Sequence, residues 1–358
     1  MAASEFSGRR IRLSGLLKKH RLEALLVSSA ASVEYLSGFT GSNGWLLATP
    51  DDCTLYTDPR YEIQASGQTD CRVRVVKGAL GIAVAADVKR CGALGFDPAN
   101  LPCESYFALS KGITRRTSLK PAAGLVESLR IVKTAAEVEA IANSARLNSE
   151  AFRRVVRFLR PGVTERDVGA RIDYQLRRLG ASGPAFDTIV ASGERSALPH
   201  AQPTDKPIGN NELVLVDMGA RSAGYTSDMT RVAFVGAPSR EVLELYKAVL
   251  EAQLAAIDVV RPGIAAERVD ATARQVLRKH RLHRYFVHST GHGLGLEIHE
   301  KPRLGQGEKT TLQAGMVVTI EPGVYLEGVG GVRIEDTIAV TGAGCRNLTP
   351  TSKDLFVV

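Results

Sequence analysis

The chain has 358 residues and a mass of 38.4 kDa, and its content of 44% hydrophobic and 23% charged residues is typical of a globular protein with room for two domains. The formal net charge is +8, but the arginines are scattered through helical segments without a basic block, which disfavours nucleic-acid binding. No apolar run is long enough to cross a bilayer and no signal-peptide core follows the first arginines, so we expect a cytoplasmic protein.

The N-terminal part, up to Gly124, alternates short β-like runs with helical stretches. Turn residues or amphipathic segments separate the β-like runs, which are EALLVSS, GWLLATP, CTLYTD, RVRVVKG and ALGFDP. This alternation predicts an α/β domain.

A helix-start signal follows this region. Thr134 and Glu137 form a capping-box pattern, in which the hydroxyl and the carboxylate satisfy free backbone donors. The pattern predicts a long helix that is ended by Pro161-Gly162. We place the domain boundary at this helix, with one domain over residues 1–128 and a second over residues 129–358.

The cysteines are odd in number, far apart and never in a CxxC pair; they are Cys53, Cys71, Cys91, Cys103 and Cys345. This pattern fits neither a disulfide framework nor a cysteine-zinc site. We therefore expect five buried, reduced thiols.

The second domain contains an internal repeat. Residues 158–180 align without a gap on residues 259–281 and share Arg-Pro-Gly, a Val, an Ala and a Leu. Each half then carries two acidic landmarks, which correspond as Asp217-x-Gly219 with Glu321-x-Gly323, and Asp228-x-Thr230 with Glu335-x-Thr337. Four landmarks in the same order predict a duplicated α+β unit with pseudo-two-fold symmetry.

The acidic landmarks lie at the ends of predicted strands. Asp217 ends an apolar strand and Asp228 precedes another, so a strand–turn–strand arrangement lets both carboxylates face one pocket; the copy does the same with Glu321 and Glu335. Four converging carboxylates repel one another and lose hydration unless protons or cations compensate. Two divalent ions balance four charges, and oxygen-rich ligation with one imidazole suits Mn(II) or Co(II). Taken singly, each acid is equally well a turn or capping residue.

The imidazole is expected from the glycine-rich segment HSTGHGLGLEIHEKP, residues 288–302, which holds three of the seven histidines. The glycines beside His292 let the backbone approach and turn the ring inward. A zincin helix is disfavoured, because Ser289 stands where a catalytic Glu is needed and the glycines oppose a helix. The glycines also lack the GxGxxG spacing of a dinucleotide site. A metal-binding loop remains.

These motifs resemble the M24-type metal-dependent peptidases of the pita-bread fold, a family that includes methionine aminopeptidase, aminopeptidase P and prolidase. The resemblance covers nearly the whole chain. It implies an α+β protein, with an N-terminal α/β creatinase-like domain followed by a C-terminal pita-bread domain with a pseudo-two-fold repeat.

By the same resemblance, five residues hold two divalent metal ions, Mn(II) in the first place with Co(II) or Zn(II) as alternatives. Asp228 and Glu335 would bridge the two ions. Asp217 would bind one ion, and His292 with Glu321 the other.

The segments SGFTGSNGWLL (37–47) and TDPRYEIQA (57–65) resemble the N-terminal domain of the aminopeptidase P and prolidase branch. His288 and the LPH sequence that ends at His200 also match this branch. The resemblance implies that the N-terminal domain helps to cover the active site and mediates a homodimer. Arg60 or Tyr61 would reach a pocket, or equally form a turn and its packing.

The implied reaction is hydrolysis of the bond between an N-terminal residue and a following proline. A water that bridges two divalent cations becomes hydroxide-like near neutral pH and attacks the scissile carbonyl. Glu321 is the candidate proton shuttle. His299 and His200 are candidates to stabilise the tetrahedral intermediate and to contact the substrate; a surface or hydrogen-bonded histidine is the alternative for each.

Two further residues are expected near the substrate. His288 would line the pocket. Arg333 stands two residues before Glu335 in the same strand-like run, so without an intervening bulge it would face the same side of the sheet and could orient a ligand carboxylate. A structural ion pair is the alternative for Arg333.

Xaa-Pro aminopeptidase is our first expectation, because FTGSNG and TDPRYEIQA resemble that branch more closely, and Xaa-Pro dipeptidase (prolidase) is the alternative. A metal-free binding protein on the same fold is disfavoured by the presence of all five ligand types. The expected partners are proline-containing peptides, and neither nucleic acid nor a membrane.

Overall fold

The computed structural model describes residues 3–358, and the chain divides into two compact units, Met1–Arg130 and Ile131–Val358. The boundary placed after residue 128 from the sequence falls two residues before this division. Both units mix helices with strands. Among the described residues, no helix combines the length and the apolar character needed to cross a bilayer.

The first unit alternates helices and strands, as the pattern of β-like runs predicts. Its helices are α1 Ala3–Lys19, α2 Ala30–Ser37, α3 Glu62–Gln68, α4 Leu80–Asp87, α5 Cys103–Gly112 and α6 Leu125–Arg130. Its strands are β1 Ala24–Val27, β2 Gly44–Ala48, β3 Cys53–Thr57, β4 Arg72–Val75, β5 Ala93–Phe96 and β6 Ser118–Pro121.

These strands form one six-stranded sheet in the order β4-β3-β2-β1-β5-β6. The central strands β1 and β5 pair in parallel and are buried along their whole length, as expected for strands covered on both faces. Each of the five predicted β-like runs contains one strand. The edge strand β6 was not predicted, because its sequence SLKP is largely exposed and lacks an apolar pattern.

The cysteines differ from the expectation. Cys53 and Cys71 form a disulfide with a Cα–Cα distance of 5.2 Å, because their strands β3 and β4 are parallel neighbours in register. Cys91 and Cys345 are half-buried and Cys103 is exposed, all three as free thiols. The prediction of five buried, reduced thiols is therefore wrong. Sequence spacing does not reveal which strands are neighbours in a sheet.

The second unit begins with the capped helix. The hydroxyl of Thr134 accepts from the N–H of Glu137, whose carboxylate accepts from the N–H of Thr134, which confirms the capping box. The helix ends at Val155 and a 3-10 turn continues to Phe158, so it stops earlier than the predicted Pro161-Gly162.

The helices of the second unit are α7 Ala135–Val155, α8 Glu165–Arg178, α9 Arg240–Asp258 and α10 Ala266–Lys279. Its first strands are β7 Gly183–Pro184, β8 Ile189–Ser192, β9 Glu212–Met218, β10 Ala220–Ser222, β11 Tyr225–Thr226 and β12 Met229–Val235. The remaining strands are β13 Gly291–Gly293, β14 Glu300–Leu304, β15 Val317–Ile320, β16 Gly323–Leu326, β17 Gly330–Arg333, β18 Asp336–Val340, β19 Cys345–Asn347 and β20 Phe356–Val357.

The internal repeat is visible in the backbone. Helices α8 and α10 are both 14 residues long, and the ungapped alignment pairs their first and their last residues. Before each helix, a Pro-Gly turn contains a glycine with φ of 89°, Gly162 and Gly263, a conformation that favours glycine. The N–H of Gly162 donates to the Ile208 carbonyl and that of Gly263 to the Leu312 carbonyl, both at 2.9 Å. The two halves therefore share their local geometry.

Each half is built on an antiparallel strand pair. Strand β9 pairs with β12 in the sheet β20-β12-β9-β8, and β15 pairs with β18 in the sheet β14-β13-β15-β18-β19. One buried apolar cluster joins α7 and α8 to the first sheet, and a second joins α9 and α10 to strands of both sheets. Burial of these faces holds the four central strands in place.

Candidate metal centre

The four acidic landmarks lie at or next to the ends of the two paired strands in each half. Asp217, in β9, stands opposite Thr230 of β12, and Asp228 immediately precedes β12. In the copy, Glu321 follows β15 and Glu335 immediately precedes β18. The connection within each half is longer than the predicted turn, because β10 and β11 lie between the first two acids and β16 and β17 between the second two.

These carboxylates surround one imidazole. One ligand atom from each of Asp228, His292 and Glu335 lies within 4.8 Å of the other two. Nε2 of His292 is 3.6 Å from Oδ2 of Asp228 and 3.4 Å from Oε1 of Glu321. Asp217 joins them through Arg333, which donates both to Oδ2 of Asp217 and to the hydroxyl of Thr230, the residue that contacts Glu335. The structure thus brings the five predicted ligands together.

Two threonines connect the halves across this centre. The hydroxyl of Thr230 donates to Oε2 of Glu335 at 2.7 Å, and the hydroxyl of Thr337 donates to the backbone carbonyl of Asp228 at 2.9 Å. Each threonine therefore holds the acid of the other half. In the sequence both threonines are visible as landmarks of the repeat, and their constant spacing from the acids is the signal that they belong to the site.

Burial and like charges perturb the acids strongly. Burial raises the pKa of Asp228 and of Glu335 well above the ordinary range, and the neighbouring carboxylates raise both further. Burial also raises the pKa of Glu321 to about 8, against the opposing effect of Arg333. Four ionised carboxylates are therefore unfavourable here, and protons or divalent cations must neutralise them.

The backbone around His292 presents its ring to the acids. Nδ1 lies 2.9 Å from the Gly293 carbonyl, an acceptor only, so Nδ1 carries the hydrogen and Nε2 keeps its lone pair toward the carboxylates. A Cβ at Gly291 would collide with the Thr319 carbonyl, and one at Gly293 with the Lys301 carbonyl. The glycines are thus required for the close approach of β13 to its neighbours.

The donor set fits divalent cations. Three buried carboxylate oxygens, Oδ1 of Asp217, Oδ1 of Asp228 and Oε1 of Glu335, have no hydrogen-bond partner among the described residues. Buried oxygens without partners are costly unless an ion or a water satisfies them. An oxygen-rich set with one imidazole is the ligand chemistry of Mn(II), Co(II) or Zn(II).

We expect the metal-free protein to lose thermal stability as the pH rises from about 7 to about 8. Folded Glu321 holds a proton in this window that the unfolded chain has already released, so the free energy of unfolding falls as this proton leaves. Burial lowers the pKa of His288 and His292. This makes the free energy of unfolding rise with pH, but only below their ordinary pKa of 6.5. Calorimetry in EDTA across this pH window measures the slope.

Excess Mn(II) supplies the control for this prediction. Bound cations replace the protons, so the melting temperature of the metal-loaded protein should not fall across the same window. A melting temperature in EDTA that stays constant or rises between these pH values would contradict the prediction.

A buried hydrogen-bonded chain leads away from the acids. Nη2 of Arg333 lies 2.6 Å from Oδ2 of Asp217, and Nη1 donates to the hydroxyl of Tyr325 at 2.6 Å. This hydroxyl lies 2.8 Å from Nε2 of His288, whose Nδ1 donates to the Ser289 carbonyl. Burial lowers the pKa of His288 to about 4, so its ring is neutral at neutral pH. No pattern in the sequence pointed to Tyr325.

Arg333 reaches the site from a different strand than predicted. Strand β17 ends at Arg333 and pairs with β16, whereas β18 begins only after Glu335. Between the strands, the Glu335 N–H donates to the Thr230 carbonyl and the Glu335 carbonyl accepts from Arg231. The prediction of one continuous strand is therefore wrong. Between Arg333 and Asp336 the backbone leaves the pair of β16 and β17 and enters the sheet of β15 and β18, and these tertiary contacts hold it there. The guanidinium still contacts a ligand carboxylate, as expected.

The two histidines that were expected to contact the substrate, His200 and His299, are both exposed. The rings of His299 and His292 have centroids 4.4 Å apart, and partial burial lowers the pKa of His299. His200 is exposed, and after burial its charge contributes to lowering the pKa of both His288 and His299. The carbonyl of Pro199 accepts from Arg333 at 3.3 Å. His299 therefore lies directly beside His292, and His200 follows the residue whose carbonyl contacts Arg333.

Comparison with known families agrees with this geometry. Residues 139–342 match the model of metallopeptidase family M24, and residues 9–132 match the creatinase/prolidase N-terminal domain. The chain belongs to metallopeptidase family M24. The predicted creatinase-like domain followed by a pita-bread domain is thereby confirmed.

Several characterised M24 proteins are similar to this M24 chain over nearly its whole length. An Xaa-Pro dipeptidase of Pyrococcus furiosus is 36% identical over 96% of this chain and 99% of its own. Among solved structures, an Xaa-Pro dipeptidase from Bacillus anthracis has a TM-score of 0.96 at 38% identity, covering 99% of this chain and 100% of its own. An X-Pro aminopeptidase from Thermotoga maritima has a TM-score of 0.91 at 35% identity, covering 98% and 99%.

Within the N-terminal domain of this M24 chain, Arg60 and Tyr61 belong to a short 3-10 turn. The guanidinium of Arg60 holds the carboxylate of Asp58 with two contacts, at 2.9 and 2.8 Å, and the side chain is 74% exposed. The hydroxyl of Tyr61 lies 2.6 Å from that of Ser42. Inside this unit, both residues thus form a turn and its packing.

Proposed function

We propose that this M24 metallopeptidase is an Xaa-Pro dipeptidase that uses two divalent ions, with Mn(II) as the first candidate. The observation that carries a metal-dependent hydrolase is the set of buried carboxylate oxygens without partners around the lone pair of His292. Similarity to Xaa-Pro dipeptidases over nearly the full chain supports the dipeptidase over the aminopeptidase that the sequence motifs favoured.

Five residues would hold the ions, namely Asp217, Asp228, His292, Glu321 and Glu335. When bound, the ions supply Lewis-acid activation of water and of the scissile carbonyl. Arg333 fixes one oxygen of Asp217 and leaves the other free for a cation. Thr230 does the same for Glu335. The protein thus orients its acids before any ion arrives, which reduces the cost of binding.

The remaining polar groups act on the substrate. Glu321 lies against His292 and is the residue that takes a proton from the attacking water and passes it to the leaving nitrogen. His299 and His200, on the open side of the centre, contact the substrate and donate to the developing oxyanion. A neutral ring suits this role, since the N–H donor is needed without a permanent charge.

The test is a short panel of peptides assayed with added Mn(II), Co(II), Zn(II) or EDTA. An Xaa-Pro dipeptide should be cleaved with metal and spared in EDTA, and the same dipeptide with Ala in place of Pro should be cleaved much more slowly. Failure to bind any divalent ion, with no cleavage of any proline peptide, would overturn the proposal in favour of a binding protein on the same fold.

Xaa-Pro aminopeptidase is the second candidate, because the Thermotoga maritima aminopeptidase is also similar over almost the whole chain. Comparison of an Xaa-Pro dipeptide with an Xaa-Pro-Yaa tripeptide separates the two. Preference for the tripeptide would establish the aminopeptidase. The homodimer, the cytoplasmic location and the absence of nucleic-acid and membrane partners stay predictions.

A further inference from the structure

The imidazole of His299 has no hydrogen-bond partner of its own among residues 3–358, although its ring packs edge-on against His292. Its position therefore depends on the backbone of the turn that carries it. This turn runs from the end of β13 at Gly293 to the start of β14 at Glu300. Whatever fixes the turn also fixes the imidazole.

The carboxylate of Glu300 contacts the backbone of this turn. Its Oε1 accepts from the N–H of Glu297 at 3.2 Å, and its Oε2 lies 3.1 Å from Nζ of Lys133. A Cβ at Gly295 would approach Oε1 to 2.8 Å, so the carboxylate fits against the turn only because this residue is glycine. The side chains of Lys133 and Glu300 are 2% and 7% exposed.

Lys133 is itself fixed beside the start of β15. Its N–H donates to the Gly315 carbonyl at 2.9 Å, and its neighbour Val132 bridges to Met316, just before β15. Strand β15 leads directly to Glu321. The ion pair thus connects the His299 turn to β15, the strand that precedes Glu321, the candidate proton carrier.

A buried ion pair is a poor source of stability, because apolar side chains of similar volume do as well or better. Its geometry, by contrast, is specific, since one carboxylate must meet both a lysine and a backbone N–H. We propose that Lys133 and Glu300 are a positioning pair that sets the imidazole of His299 toward the scissile peptide bond. This inference rests on the proposed Xaa-Pro peptidase function. It adds two positioning residues to that function, which lie far from each other in the sequence.

The test uses a neutral pair, Lys133→Met with Glu300→Leu, in the full-length, Mn(II)-loaded enzyme. Removal of both charges together avoids a lone buried charge, so the melting temperature should stay within about 4 °C of wild type. The affinity for Mn(II) should be unchanged, because no metal ligand is touched. The kcat for an Xaa-Pro dipeptide should fall about 10- to 100-fold, with KM within about threefold.

A second comparison separates positioning from general damage. In a His299→Ala background, the neutral pair should cause no further loss of kcat, because the group that it positions is gone. Losses that multiply would overturn the proposal, as would a neutral pair with full kcat. If the neutral pair melts well below wild type, Glu300→Gln is compared in both backgrounds with the same two outcomes.

A matched control comes from a second lysine–glutamate pair in the same unit. Lys206 and Glu212 lie 2.9 Å apart, and Glu212 begins the strand that ends near Asp217. Lys206→Met with Glu212→Leu should leave kcat within about threefold of wild type. An equal loss in this control would overturn the proposal. A wild-type enzyme that cleaves no proline peptide would instead overturn the proposed function itself.

Discussion

Glu335→Gln should abolish high-affinity binding of divalent metal and lower kcat/KM for an Xaa-Pro substrate by about 1,000-fold or more. Glu335 is 1% exposed, with Oε2 held by Thr230 and Oε1 without a partner among the described residues. The amide removes the charge that a cation needs at this position. Titration calorimetry with Mn(II) and steady-state kinetics measure the two effects.

The same variant should not lose its fold. Removal of one carboxylate relieves repulsion of Asp228 and Glu321, so metal-free Glu335→Gln should melt at or above the temperature of metal-free wild type. Glu327→Gln, in the exposed turn between β16 and β17, is the control and should keep both metal and activity. A Glu335→Gln protein that binds Mn(II) as wild type does would show that this acid is not a ligand.

The positions of the four acids were predictable because the two members of each pair lie close together in the sequence. Asp217 lies in β9 and Asp228 immediately precedes its partner strand β12, while in the copy Glu321 follows β15 and Glu335 immediately precedes β18. A strand pattern with an acid at its end is therefore sufficient to place each pair. The repeat then implies that two such pairs face each other.

The supporting contacts were not predictable, because they depend on tertiary structure. Tyr325 meets Arg333 and His288 only after β16 and β17 pair, and nothing in its sequence context distinguishes it from a core tyrosine. Lys133 and Glu300 are separated by most of the second unit. Local patterns carry no information about such contacts.

The disulfide and the break before β18 have the same cause. Cys53 and Cys71 are adjacent only because β3 and β4 are parallel neighbours, a pairing that 18 residues of sequence separation do not reveal. The backbone turns at Glu335 because Thr230 and Arg231 of the other half take up its N–H and carbonyl. In both cases the deciding partner is distant in sequence.

Glu321→Gln should lower kcat by about 100- to 10,000-fold at saturating Mn(II). Oε1 of Glu321 accepts from the hydroxyl of Thr319 at 3.0 Å and lies 3.4 Å from Nε2 of His292. The amide keeps an oxygen for this hydroxyl but carries no titratable proton. Because Asp228, His292 and Glu335 remain, some metal should still bind, unlike in Glu335→Gln. Full peptidase activity in this variant would show that Glu321 is not the proton carrier.

Thr319→Val tests the contact between the Thr319 hydroxyl and Glu321. Valine has the shape of threonine without the hydroxyl, so Glu321 keeps its carboxylate but loses this contact, and the N–H of His292 loses its acceptor at 3.0 Å. The loss of kcat should be about 10- to 100-fold, the range for groups that orient a metal ligand, and therefore smaller than for Glu321→Gln. Equal losses in the two variants would mean that orientation at this position matters more than proton transfer. A larger loss in Glu321→Gln, with a fold and melting temperature like those of Thr319→Val, assigns the difference to the missing acid.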